Sequence, residues 1–147
     1  MDGIKKVIGV VLIIIAALIA IHTVIEPLYH TTDPDSENPY SSAWGYINPL
    51  SAISIVLGLI FGYMRMSNTH ENSSVQEFIA ANTLFYGFIF AAILFFWNWF
   101  GILEVGKEFT AVDPQTRSIV WIIIDAILPC LNGALGAHLL RSSGTSD

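Results

Sequence analysis

Four apolar stretches, over residues 7–25, 48–64, 78–103 and 119–140, take up most of this chain and leave little else to build from. A helix needs about 20 apolar residues to cross roughly 30 Å of hydrocarbon, and each stretch is near that length. None alternates with period two, as a membrane barrel strand would, so helices are the structure that satisfies the backbone in lipid. The expected fold is all-α and integral to a membrane, a bundle of four transmembrane helices in a multi-pass protein. Only 12% of the residues are charged, against about a quarter in a soluble domain. With 147 residues in all, the connections must be short. The chain therefore reads as a single four-helix membrane domain with no separate soluble part.

Lys5 and Lys6 precede the first stretch as they would a secretory signal. That stretch exceeds the usual core of about 7–15 residues and lacks a small-residue cleavage site, so it reads as a retained helix. Orientation follows from the basic residues. Lys5, Lys6, Arg65 and Arg141 fall on one side, and Lys107 and Arg117 on the other. The positive-inside rule then places both termini in the cytoplasm. Asn72-Ser73-Ser74 has the form of a glycosylation acceptor but falls on the inner side, where it reads as chance.

The outer connection from Pro27 to Pro49 holds four prolines among Tyr29, Tyr40, Trp44 and Tyr46. It is expected to lie as an ordered cap in the headgroup zone, which Tyr and Trp favour. Its Asp33, Asp35 and Glu37 alternate like the start of a calcium loop. Asn38 stands at the sixth position and Trp44 at the twelfth, where such a loop needs Gly and Glu, so the run reads as a solvated acidic rim. On the inner side, Asn72, Ser73 or Ser74 suits the cap of the third helix, and Glu77 its positive end. Asp113-Pro114 reads as a cap and first-turn proline for the fourth.

Small residues recur at helical spacing. Ser54, Gly58 and Gly62 form a ridge on the second helix, Thr83, Gly87 and Ala91 on the third, and Ala16 with Ala20 on the first. Gly133 and Ala137, beside Gly136, continue the theme on the fourth. Such ridges let helix backbones approach closely in lipid, so Gly58, Gly62, Gly87 and Gly133 are the expected packing positions. The same ridges suit a partner helix or a second copy of the chain.

Polar side chains in the apolar stretches need a reason, since a charge at the helix centre costs at least about 2.5 kcal/mol on insertion scales. Asp125 lies roughly 12 Å below the outer surface, counting 1.5 Å per residue. His22, Asn98 and Ser54 lie in the same half of the other three helices, with Glu26 one turn beyond His22 at the boundary. These five residues are the candidate polar cluster. Pro129 also leaves the carbonyl of Asp125 without its usual backbone donor and is expected to kink the fourth helix. The plain reading is an Asp that is hydrogen-bonded or neutral and pins its helix; the sharper one is a proton, ion or small-ligand site opening outward. His22, Glu26 and His30 have spacing for metal ligands, but read better as interfacial polar residues, and no metal or cofactor is assigned. Asn82, Asn132 and His138, in the inner half, are expected to bond between helices or to snorkel.

Several activities are excluded. A net charge of −6 argues against a nucleic-acid surface. Cys130 is the one cysteine, which rules out the paired thiols of a quinone-linked disulfide oxidoreductase. The aliphatic core of the first helix lacks the glutamate of small multidrug transporters, and three arginines are too few for a glutathione-using membrane enzyme. The outline is similar to that of small four-span subunits of respiratory or monooxygenase complexes, without a motif to assign it. The expected function is a non-catalytic accessory or assembly subunit of a larger membrane complex. Its expected partners are the lipid bilayer and other membrane subunits or further copies of itself, and the aromatics Phe95, Phe96, Trp97, Trp99 and Phe100 are expected to face them. The alternative is a small oligomeric transporter or proton-coupled channel with Asp125 as its ionisable centre.

Overall fold

The computed structural model describes residues 2–30, 40–69, 73–102 and 114–144, which form four helices. They are α1 (Asp2–Tyr29), α2 (Trp44–Ser67), α3 (Val75–Ile102) and α4 (Pro114–Ser143). All four are long and apolar enough to span a membrane. Even α2, the shortest at 24 residues, reaches about 36 Å at 1.5 Å per residue.

Each helix starts before its apolar stretch, because backbone hydrogen bonding continues into polar flanks once the helix has nucleated. Pro27, expected in the first connection, lies inside α1 instead, and Pro49 lies inside α2. Each removes one backbone donor, a loss confined to a single rung of the helical ladder. Pro114 opens α4, where a missing N–H is harmless. The amide of Glu77 donates to Ser74 Oγ at 3.2 Å, so Ser74 is the residue that caps α3. Asp33, Asp35, Glu37, Asn38, Asn72 and Asp113 lie outside the described residues.

The helices pack in a ring. α1 lies chiefly on α4, α4 also on α3, and α3 on α2, while α2 touches α1 and α4 more lightly. Inward residues recur every third or fourth position: Leu12, Ile15 and Ile19 on α1, and Ile124, Leu128, Asn132, Leu135 and Leu139 on α4. Phe88 and Phe95 fill the centre from α3. Isoleucines at 14, 21, 53, 60, 93 and 122 point outward on all sides, an apolar exterior suited to lipid rather than water.

Small residues set the closest approaches. A Cβ on Gly58 would overlap the ring of Phe88; one on Gly62 would touch the Cα of Phe85 at an ordinary 3.6 Å. Gly87 lies under Leu131, whose Cδ2 would be 2.7 Å from a Cβ there. Gly133 differs from expectation: a Cβ there meets nothing within 4 Å. The close approach on α4 falls one turn later, where Gly136 crosses Gly9 of α1. A Cβ on either would lie 2.7–2.9 Å from the other's carbonyl oxygen. The aromatic run 95–100 divides as well. Phe95, expected on the outside, is buried against Trp121 with ring centroids 5.6 Å apart, while Trp97 and Phe100 remain outward.

Candidate functional site

At the end where α1 finishes and α2 begins, a hydrogen-bonded group forms around Glu26 and His22. The indole Nε1 of Trp44 donates to both carboxylate oxygens of Glu26, at 2.9 and 2.8 Å, and the amide of Ser41 donates to Oε1 at 2.9 Å. Tyr29 Oη and Ser41 Oγ lie 3.1 and 3.3 Å from Nδ1 and Nε2 of His22. The Trp44 ring meets the imidazole edge-on at 4.8 Å. Pro27 does not end α1, so Tyr29 stays in helical register, two turns beyond His22. The carboxylate thereby accepts bonds from two N–H groups, one of them shared between its oxygens, which suits a charged form.

Ser54 and Asn98 belong elsewhere. Asn132 Nδ2 donates to Ser54 Oγ at 3.0 Å across α4 and α2, and Ser54 Oγ donates to its own helix at Ser51 O. Both partners are fully buried. Asn98 Nδ2 donates to the carbonyl of Arg117 at 3.2 Å, tying the end of α3 to the start of α4. None of these bonds includes Asp125. Its side chain is partly buried on α4, within electrostatic reach of Glu26. The five candidate residues are thus divided among separate groups: His22 with Glu26, Ser54 with Asn132, Asn98 with a backbone carbonyl, and Asp125 in the field of Glu26.

The bonds at Ser54 give a small, testable effect. Asn132→Ala removes one interhelical bond of a kind that averages about 0.6 kcal/mol in membrane proteins. A loss of about 1 kcal/mol or less in detergent unfolding is the expected result, because Asn132 Oδ1 is buried without a partner and its removal offsets part of the loss.

His22, Glu26 and His30 do not converge as metal ligands. Both imidazole nitrogens of His22 face hydroxyls, and no group of three or more His, Cys, Asp or Glu among the described residues is placed to hold a metal. Asn82, expected to bond between helices or to snorkel, donates to Phe78 O within α3. Trp44, Ser41 and Tyr29 were not singled out from the sequence as partners of Glu26 and His22, because contacts across a connection depend on its path. The Arg65–Glu77 pair was also missed. Its two bonds, 2.9 and 3.0 Å, join the end of α2 to the start of α3. A basic residue ending one helix and an acidic residue opening the next was the available signal.

Comparison with protein-family models, with curated proteins and with solved structures finds no match for this chain. Fold and site define its class: an all-helical, four-helix bundle whose helices are of membrane-spanning length and composition.

Proposed function

We propose that this chain is a multi-pass integral membrane protein, with both termini in the cytoplasm, that serves as a non-catalytic accessory or assembly subunit of a larger membrane complex. The observation that carries this reading is the use made of the deep polar groups. Ser54 bonds Asn132 and Asn98 bonds the Arg117 carbonyl, so these side chains join helices rather than line a reaction site. The outward apolar faces of all four helices offer ample surface to lipid and to partner subunits. The inward orientation of the termini rests on the four basic residues Lys5, Lys6, Arg65 and Arg141 on that side of the bundle.

Purification from the native membrane in mild detergent tests the proposal. Stoichiometric recovery of larger subunits is the expected result, and a bare monomer would overturn it. The alternative of a transporter or proton-coupled channel draws on Asp125, a carboxyl group outside the bonds described and close to the charge of Glu26. Asp125→Asn separates the two readings. An accessory subunit is expected to assemble at wild-type level with this substitution. Loss of proton-coupled flux in proteoliposomes, with the fold intact, would instead favour transport.

A further inference from the structure

α3 turns one face outward along its length. Ile79, Thr83, Tyr86, Phe90, Ile93 and Trp97 follow one another at alternating intervals of four and three residues, and all are exposed. Ile79, Phe90 and Ile93 suit lipid as they stand, but Thr83 and Tyr86 bring hydroxyls with them. Neither hydroxyl has a hydrogen bond among the described residues. By contrast, Thr23 bonds the carbonyl of Ile19 within its own helix, and Asn82 that of Phe78. Depth makes the difference costly. α3 has 28 residues, about 42 Å at 1.5 Å per residue, against a hydrocarbon layer of roughly 30 Å. With the helix centred on that layer, Tyr86 lies about 4 Å and Thr83 about 8 Å from the midplane. Water does not hydrate a hydroxyl at that depth, so a bond left unmade keeps the full cost of desolvation.

We infer that this face is the seam of a dimer with a second copy of the chain, α3 against α3 about a two-fold axis along the membrane normal. Copies inserted in the same orientation run parallel, and a two-fold axis brings the same face of each together. Thr83 of one copy then differs in height from Tyr86 of the other by about 4.5 Å, within the span of a tyrosine side chain. The Tyr86 phenol donates to the Thr83 hydroxyl oxygen of the second copy, and the symmetry makes that bond twice. Each Thr83 proton is left to turn to a carbonyl of its own helix. The face thus holds donor and acceptor one turn apart, so a second copy meets both needs with no further residue. The apolar positions keep the spacing of a seam between two supercoiled helices. Close packing and interhelical bonds are what drive association in lipid. The inference rests on the chain spanning a membrane, and not on its serving a larger complex.

The test follows energy transfer between full chains, labelled at the N-terminus, as phosphatidylcholine vesicles holding them are diluted with lipid. Wild type is expected to dimerise. Tyr86→Phe and Thr83→Val, which keep side-chain shape, should each weaken the dimer roughly tenfold, because two symmetric bonds are lost at once. The double variant should weaken it no further than either single, since both remove the same bonds. Tyr63→Phe, at an outward tyrosine of α2, should dimerise like wild type. An unchanged circular dichroism spectrum shows that each variant has folded. The face itself is read by oxidation in a Cys130→Ser background. Ile93→Cys is expected to form a disulfide between copies, and Ile53→Cys, outward on α2, is not. A wild-type chain that stays monomeric at every dilution would overturn the inference. So would a dimer indifferent to Tyr86→Phe, or one joined through Ile53→Cys and not Ile93→Cys. An Ile93→Cys adduct with a different protein in native membranes would give the face to that partner instead and overturn the assignment to a second copy. Release of the chain by alkaline extraction would overturn the membrane reading and the dimer with it, whereas an embedded monomer overturns the dimer alone.

Discussion

Gly58→Ala is expected to destabilise the bundle by about 1–3 kcal/mol, the range for overpacking a filled core. The added methyl would occupy the space of the Phe88 ring edge, and Phe88 is 0% exposed, so the ring has nowhere to turn. Relief requires α2 and α3 to move apart, which also loosens the neighbouring contacts of Gly62 with Phe85. Detergent unfolding of the single variants and of Gly58→Ala combined with Phe88→Leu gives the check. The smaller side chain is expected to accept the methyl, so the double variant should lose less than the two singles added together. Additive losses would mean that the two residues do not share that space.

A second pair of substitutions, only one turn apart on α4, should behave in opposite ways. In Gly136→Ala the new methyl lies 2.7 Å from the carbonyl oxygen of Gly9 and 2.8 Å from Ile13 Cγ1. A backbone oxygen cannot rotate aside, so α1 must move away from α4 along its main seam, again at about 1–3 kcal/mol. Gly133→Ala meets nothing within 4 Å. It should leave stability unchanged or raise it by up to about 1 kcal/mol, since alanine is the better helix former. Both variants are read by the same unfolding curve. Equal losses at the two positions would contradict the rotation of α4 described here.

The small-residue ridges illustrate how far sequence reading reaches. Gly58, Gly62 and Gly87 were expected at helix contacts, and each lies against a named neighbour on another helix. Gly133 was singled out by the same spacing, yet Gly136 and Gly9 form the crossing. A spacing of four marks a face of a helix without saying which of two adjacent faces turns inward. Polar residues behave likewise. The helix was legible for His22, Ser54, Asn98 and Asp125, but the bonding partners of the first three were not. Ser54 and Asn132 are separated by 78 positions, and Ser41 and Trp44 reach Glu26 because the start of α2 lies beside the end of α1.

The number of helices, their approximate limits and their suitability for a membrane follow from the sequence by itself, because the length of an apolar run is a local property. The rotation of each helix about its axis was decided by the tertiary structure. In a soluble bundle a polar face marks the outside, and its contrast with the apolar face shows which way a helix turns. Here the exterior is as apolar as the core, with isoleucine on both, so that contrast is missing. Packing of Phe88 into Gly58, of Gly9 across Gly136, and of Asn132 against Ser54 selects the inward face instead. Those contacts join residues from different helices, and they come into being only when the helices meet.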